Sequence, residues 1–267
     1  MKAYTIVFIT TLVVIILLVL GYILKAGVTI ESFDTKSIPI YYINLDTNKD
    51  RRTHVETQAR EQNLSLIRFP AIHGKHVDVD QLQKTGLLAR KHSLLAGQLG
   101  CALSHYQLLE KIYAQGDALS IVLEDDIILP PHVMSSIYEM IHSLPKKWDI
   151  VFLGGCNIMG NRIASNLIQP TRYNSSYNLC THAYLVRHES IPHLLKQLTP
   201  LYRPIDSQWR DKFRNLDVFY IYPNLITQSK DIRSTRRDLD GLPQSKFWNT
   251  HHGDITILNS GTEFAQA

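Results

Sequence analysis

The sequence predicts an α/β domain with a mostly parallel central sheet, preceded by one N-terminal transmembrane helix. Three observations carry that expectation. Short β-branched runs alternate with amphipathic helical stretches from residue 38 to about residue 240, as a parallel sheet requires. One of those runs ends in three consecutive carboxylates, Glu124-Asp125-Asp126. Ahead of them, Ala3 to Leu24 is a 22-residue segment without a single charge.

That first segment is bracketed by Lys2 and Lys25. At ~1.5 Å per residue it is long enough to cross a bilayer core, and it is too long for a signal-peptide apolar region. Residues 1–25 are therefore expected to be an uncleaved single-pass anchor. Residues 26–37 are read as a polar linker, 38–240 as the domain and 241–267 as a C-terminal tail. The flanking lysines are nearly balanced, so the positive-inside rule leaves undecided which side of the membrane carries the domain.

Composition is that of a globular protein, with 45% hydrophobic and 19% charged residues, enough for one large core in 267 residues. The net charge of +4 is mild and its basic residues are dispersed, which argues against a nucleic-acid partner. Three scattered cysteines, Cys101, Cys156 and Cys180, give no disulfide framework and no zinc spacing, and the twelve histidines lack metalloprotease spacing.

In chain order, residues 38–45 form a buried strand, and Asp46-Thr47-Asn48 caps a helix carrying Asp50, Arg51 and Arg52. A strand, an acid and paired arginines at a helix start make a candidate phosphate or nucleotide contact. A second strand spans 66–70, closed by Pro70. Residues 75–95 are expected as loop and weak helix. Helical spacing of Leu99, Ala102, Leu103, Tyr106 and Leu109 predicts a helix over 97–113, and its Gly97 and Gly100 suggest close packing against backbone or ligand. Ser104 and His105 point apart on it, and Cys101 is expected in the core.

Leu119–Leu123 is a buried strand that delivers Glu124, Asp125 and Asp126 to its carboxyl end, where ligands bind in open α/β sheets. Adjacent carboxylates repel, so a fold that gathers them tends to supply a cation, and oxygen-only donors suit Mn²⁺ or Mg²⁺ holding a diphosphate. A helix follows Pro130-Pro131, then a strand over 148–153. Residues 156–178 are expected as loop. A strand at 181–186, a helix through Ile191 and Leu198, a polar stretch opened by Pro204-Ile205-Asp206 and a last strand at 217–222 complete the reading.

Taken together, Ile43-Asn44-Leu45-Asp46 with Arg51-Arg52, Pro70-Ala71-Ile72-His73-Gly74, the Gly97–His105 stretch and Ile121–Asp126 resemble glycosyltransferase family 25. Ala183–Val186 and Pro204-Ile205-Asp206 match more loosely. The resemblance runs from about Ile38 to about Arg237. It implies a GT-A-like (Rossmann-like) fold, a UDP-galactose donor, a metal bound at Glu124, Asp125 and Asp126, and inverting transfer giving a β-linkage. Asn44, Asp46 and Arg51 are candidate nucleotide contacts, and Arg233, Arg236 and Arg237 are candidates to close over the diphosphate. His182 is a further candidate for a metal or phosphate contact.

An inverting displacement needs a general base. Asp206 is the candidate, with Asp211 and Asp149 as rivals. The expected acceptor is a glycan or lipid-linked saccharide in lipooligosaccharide or glycoconjugate synthesis. The expected setting is a bacterial inner membrane with the domain in the cytoplasm. Two other readings compete: a membrane-anchored, non-catalytic sugar-binding module, and a metal-dependent phosphohydrolase.

Overall fold

The computed structural model describes residues 38–171, 177–229 and 255–258. The expected anchor and linker, residues 1–37, lie outside that set, and no helix among the described residues is long and apolar enough to cross a membrane. The described residues belong to one compact unit.

The described residues build eleven strands and six α-helices in the order β1 (Ile40–Asn44), α1 (Lys49–Glu61), β2 (Leu66–Pro70), α2 (Val79–Lys84), α3 (Ala96–Gln115), β3 (Leu119–Glu124), β4 (Ile127–Ile128), α4 (Val133–Ser143), β5 (Ile150–Phe152), β6 (Ile158–Ala164), β7 (Leu167–Pro170), β8 (Ala183–Arg187), α5 (Ile191–Leu198), α6 (Ile205–Lys212), β9 (Val218–Ile221), β10 (Thr227–Gln228) and β11 (Ile255–Ile257). Nine strands form one sheet, ordered β11-β6-β7-β9-β5-β8-β3-β1-β2, and β4 pairs with β10 in a separate ribbon. Within the large sheet all strands share one direction except β8 and β7, which run antiparallel to both neighbours. The sheet is therefore mostly parallel, as the alternating pattern predicts.

Strand alternation divides the core between the two faces of this sheet. Tyr41, Ile43, Val122, Phe152, Tyr184 and Tyr220 face Leu99, Leu103 and Leu109 of α3, Leu194 of α5 and Trp209 of α6. Tyr42, Ile121, Leu123, Val151 and Phe219 face Val55 of α1 and Ile137 and Met140 of α4. Helices cover both faces, which is what buries such apolar strands.

Four expectations change. Residues 156–178 are not simply loop: β6 and β7 form a hairpin at their centre, whose Leu167 and Ile168 are buried among Asn, Ser and Gly residues that hide the alternation. The polar stretch after Pro204 is helix α6; burial of Gln208 and Arg210 beside Trp209 blurs its apolar face. The tail beyond residue 241 contributes β11, which extends the sheet parallel to β6. Finally, Cys156 and Cys180 form a disulfide with Cα atoms 5.6 Å apart. The antiparallel bridge between Cys156 and Leu179 sets them side by side, a pairing invisible in a count of three cysteines.

Candidate active site

Strands β1 and β3 are parallel neighbours with Ile43 opposite Glu124, so their carboxyl ends open at the same sheet edge. Because β8 runs antiparallel to β3, its amino-terminal approach, with Thr181, returns to that edge. The starts of α3 and α6 form the opposite wall. Between them lies a cleft of about 140 Å³, roughly ten times what a single water needs. Arg51, Cys101, His105, Glu124, Asp125, Asp126, Thr181, Asp206 and Gln228 all line it.

The three acids are held in two ways. Asp125 is buried; its Oδ2 accepts from Asn44 Nδ2 at 2.7 Å and its Oδ1 meets Arg51 at 3.0 Å. The same guanidinium reaches Asp126 Oδ2, so Arg51 bridges the two aspartates. Asp126 Oδ1 accepts from Gln228 Nε2 at 3.2 Å, and the Asp126 carbonyl accepts from the Ser229 amide at 2.6 Å, which ties the β4–β10 ribbon to the cluster. Glu124 engages other partners. Its Oε1 accepts from Thr181 Oγ1 at 2.9 Å and lies 3.4 Å from His105 Nε2.

Burial lifts the Asp125 carboxyl to about 6; Arg51 and Asn44 oppose that lift, and the charges of Asp126 and Glu124 add to it. Burial also pushes the Glu124 carboxyl up, but the His105 ring 3.4 Å away, then the charge of His182 and the Thr181 hydrogen bond, outweigh it and hold the group well below its ordinary value.

The remaining candidates separate by position. Asn44 does not line the cleft. It sits behind it, joining Asp125 to Arg68, whose Nε donates to Asn44 Oδ1 at 3.1 Å. Asp46 is exposed and pairs with Arg68 at 2.5 Å outside the cleft. Asp206 does line the cleft, at the start of α6; its Oδ1 accepts from the Ser207 amide at 2.6 Å and its Oδ2 from the Cys180 amide at 3.4 Å. The rival Asp211 is engaged by Arg203 at 2.7 Å, and Asp149 accepts from the Asp217 amide at 2.8 Å; neither lines the cleft. His182 directs Nε2 to the Ile226 carbonyl at 3.0 Å. Arg233, Arg236 and Arg237 lie outside the described residues.

Sequence reasoning passed over Thr181, Gln228 and the cleft-facing role of His105. Thr181 and Gln228 carry no local signal, since sheet reversal and the ribbon alone bring them in. Cys101, expected in the core, is half-buried at the cleft wall. Ser104 also lines it, with its hydroxyl spent on the Gly100 carbonyl at 2.6 Å and the Ile72 amide at 2.8 Å.

The family model for Glycosyltransferase family 25 (LPS biosynthesis protein) matches residues 37–209, well over half of the chain. The chain belongs to glycosyltransferase family 25. Among similar relatives of this family, a "Glycosyltransferase 25 family member" of Aedes aegypti is 26% identical over 67% of this chain and 33% of its own length. "Procollagen galactosyltransferase 1-A" of Xenopus laevis is 26% identical over 43% of this chain and 21% of its own. "Inactive glycosyltransferase 25 family member 3" of Mus musculus is 26% identical over 62% and 30%. The chain thus spans a third or less of the length of these curated relatives. A solved glycosyltransferase involved in the glycosylation of the major capsid of PBCV-1 overlaps 76% of this chain and 97% of its own, at 9% identity and a TM-score of 0.42, too loose a likeness to carry an argument.

The donors of this family 25 cleft suit a hard divalent ion. All three acids present oxygen, and Asp125 is pushed up by burial with two further carboxylates near it, a tension that a cation relieves.

Proposed function

We propose that this family 25 protein is a metal-dependent transferase that moves a hexose, galactose, from a UDP-sugar to a saccharide acceptor with inversion. The observation that carries the reading is the pairing across one cleft of the Glu124-Asp125-Asp126 cluster with Asp206. A Mn²⁺ or Mg²⁺ ion, held by Asp126 with Glu124 or Asp125, would neutralise charge gathering on the departing diphosphate. Arg51 supplies a fixed guanidinium at the same wall, suited to bidentate contact with phosphate or carboxylate oxygens. Asp206 takes the proton of the attacking acceptor hydroxyl. The Ser207 and Cys180 amides hold its carboxylate as an acceptor, the form a base requires. Asn44 positions Asp125 from behind. Arg233 and Arg236 remain proposed diphosphate contacts, and a saccharide, glycan or lipid-linked, is the proposed acceptor at a membrane to which residues 1–25 anchor the domain.

A non-catalytic sugar-binding role is the second reading, favoured by the mouse relative whose name calls it inactive. One experiment tests both: release of UDP from a panel of UDP-sugars with Mn²⁺, with and without acceptor saccharides. Acceptor-dependent release from UDP-galactose supports transfer. Sugar binding without release supports the binding module, and acceptor-independent phosphate release overturns both in favour of a hydrolase.

A further inference from the structure

A second cluster of ligating atoms adjoins the acids and is of a softer kind. Cys101 and His105 are four residues apart on α3, a spacing that puts two side chains on one helix face. Strand β3 brings Glu124 against them. A sulfur, a ring nitrogen and a carboxylate oxygen from these residues all lie within 4.8 Å of one another, and His105 Nε2 is already 3.4 Å from Glu124 Oε1. Ligands around a tetrahedral zinc sit roughly 3.3–3.8 Å apart, given bonds of ~2.0–2.3 Å. The group therefore needs to contract by about 1.5 Å at most to close on an ion.

The neighbours prepare it. His105 is 1% exposed, and its Nε2 has no hydrogen-bond partner among the described residues. Its Nδ1 lies 2.9 Å from the phenol oxygen of buried Tyr184, the outer contact that orients a metal-bound imidazole. Thr181 orients the Glu124 carboxylate. Cys101 lines the cleft, so an ion and a completing water have a way in. The other grouping of this sort, Cys156, Cys180 and His182, has both sulfurs locked in the disulfide.

We propose that Cys101, His105 and Glu124 form a binding site for a thiolate-seeking divalent ion, zinc, with its fourth position open to the cleft. Sulfur beside nitrogen and one oxygen selects zinc over magnesium. Neither Asp125 nor Asp126 takes part; Glu124 is shared with the ion proposed for sugar transfer, and because cobalt binding is read without turnover, the site can fail while transfer stands.

The test uses the full chain, stripped with a chelator and with its disulfide intact. Cobalt(II) serves as the spectroscopic probe. Binding of about one equivalent is expected, with a thiolate-to-cobalt charge-transfer band that weakens about tenfold or more in Cys101→Ser and His105→Gln and persists in Asp125→Asn. Equimolar Zn²⁺ should also slow iodoacetamide labelling of Cys101, the thiol outside the disulfide, by about tenfold or more in the unmutated chain. A cobalt spectrum without the thiolate band overturns the proposal, as does an undiminished band in Cys101→Ser. If that variant does not fold, labelling decides, and an unchanged rate in Zn²⁺ is fatal to the site.

Discussion

Asp126 carries the most exposed demand of the cluster, because it is shared between Arg51 and Gln228 while still lining the cleft. Removing its carboxylate leaves Asp125 paired with Arg51 and Asn44, so no buried charge is stranded. Asp126→Ala is expected to lose transfer and metal-dependent nucleotide binding, with the thermal midpoint nearly unchanged; calorimetric titration of UDP with and without Mn²⁺ reads it. Across the cleft, Asp206→Asn keeps shape and one accepting oxygen of the two but not basicity. Turnover should fall by about 10²–10⁴-fold, the usual worth of a positioned base, with donor affinity retained. A fall in donor affinity instead would recast Asp206 as a binding residue. At this scale the acids were legible because an apolar strand announces its own end. Asp46 follows a strand too, but there Arg68 on β2 holds the carboxylate outside the cleft.

At the scale of elements, two packing devices shape the cleft walls. A Cβ on Gly100 would stand 2.4 Å from the Ile72 carbonyl oxygen and 2.8 Å from the Gly74 amide, both backbone atoms that cannot swing aside. Gly100 thus makes a close approach of the kind that the sequence suggested. Gly100→Ala should destabilise by about 1–3 kcal/mol or more through overpacking, read as a lowered denaturant midpoint. The disulfide is the second device. It closes a loop spanning 24 residues, and Cys180 presents its amide to Asp206. Reduction is expected to cost about 3 kcal/mol of stability from loop-closure entropy, measurable by thermal melting with and without reductant. Helices α3, α4 and α5 were readable from regular apolar spacing, and α1 from the cap-forming residues ahead of it. The β6–β7 hairpin and α6 were not, because their buried faces contain Gly, Gln and Arg, residues that sequence patterns place in water. The disulfide depended on a bridge between strands that no local pattern encodes.

For the whole molecule, the response to pH has limbs set by groups away from the cleft as well as within it. Tyr42, on β1, donates to Glu56, on α1, and Arg52 meets the same carboxylate at 2.9 Å. The Tyr42 hydrogen bond, followed by Arg52, holds the Glu56 carboxyl below its ordinary value against the effect of burial. Burial first, then Glu56, pushes the Tyr42 phenol up to about 12. A depressed carboxyl contributes stability above its unfolded pKa of about 4.5 and loses it as pH falls through the folded value. A raised phenol contributes below about 10 and loses it as pH rises toward about 12. Glu56→Gln should therefore flatten the acid limb of the stability curve and shorten the alkaline limb, both read from urea midpoints across pH. An acid limb identical to that of the unmutated chain would mean the pair contributes nothing.

The guanidinium that joins Asp125 to Asp126 also constrains how such a sequence can change. With Arg51 gone, two closely set carboxylates face each other in a buried pocket; with both aspartates gone, a buried cation has no counterpart. Removing one side of such a pair typically costs about 3–5 kcal/mol, a large share of a domain's stability. Loss of Arg51 alone therefore passes through a poorly folded intermediate, as does loss of both aspartates, whereas loss of all three charges together need not. The expectation is epistatic: in a lineage released from selection for activity, these positions should be kept or surrendered as a set, and a double-mutant cycle between Arg51 and Asp125 would measure the coupling that enforces it.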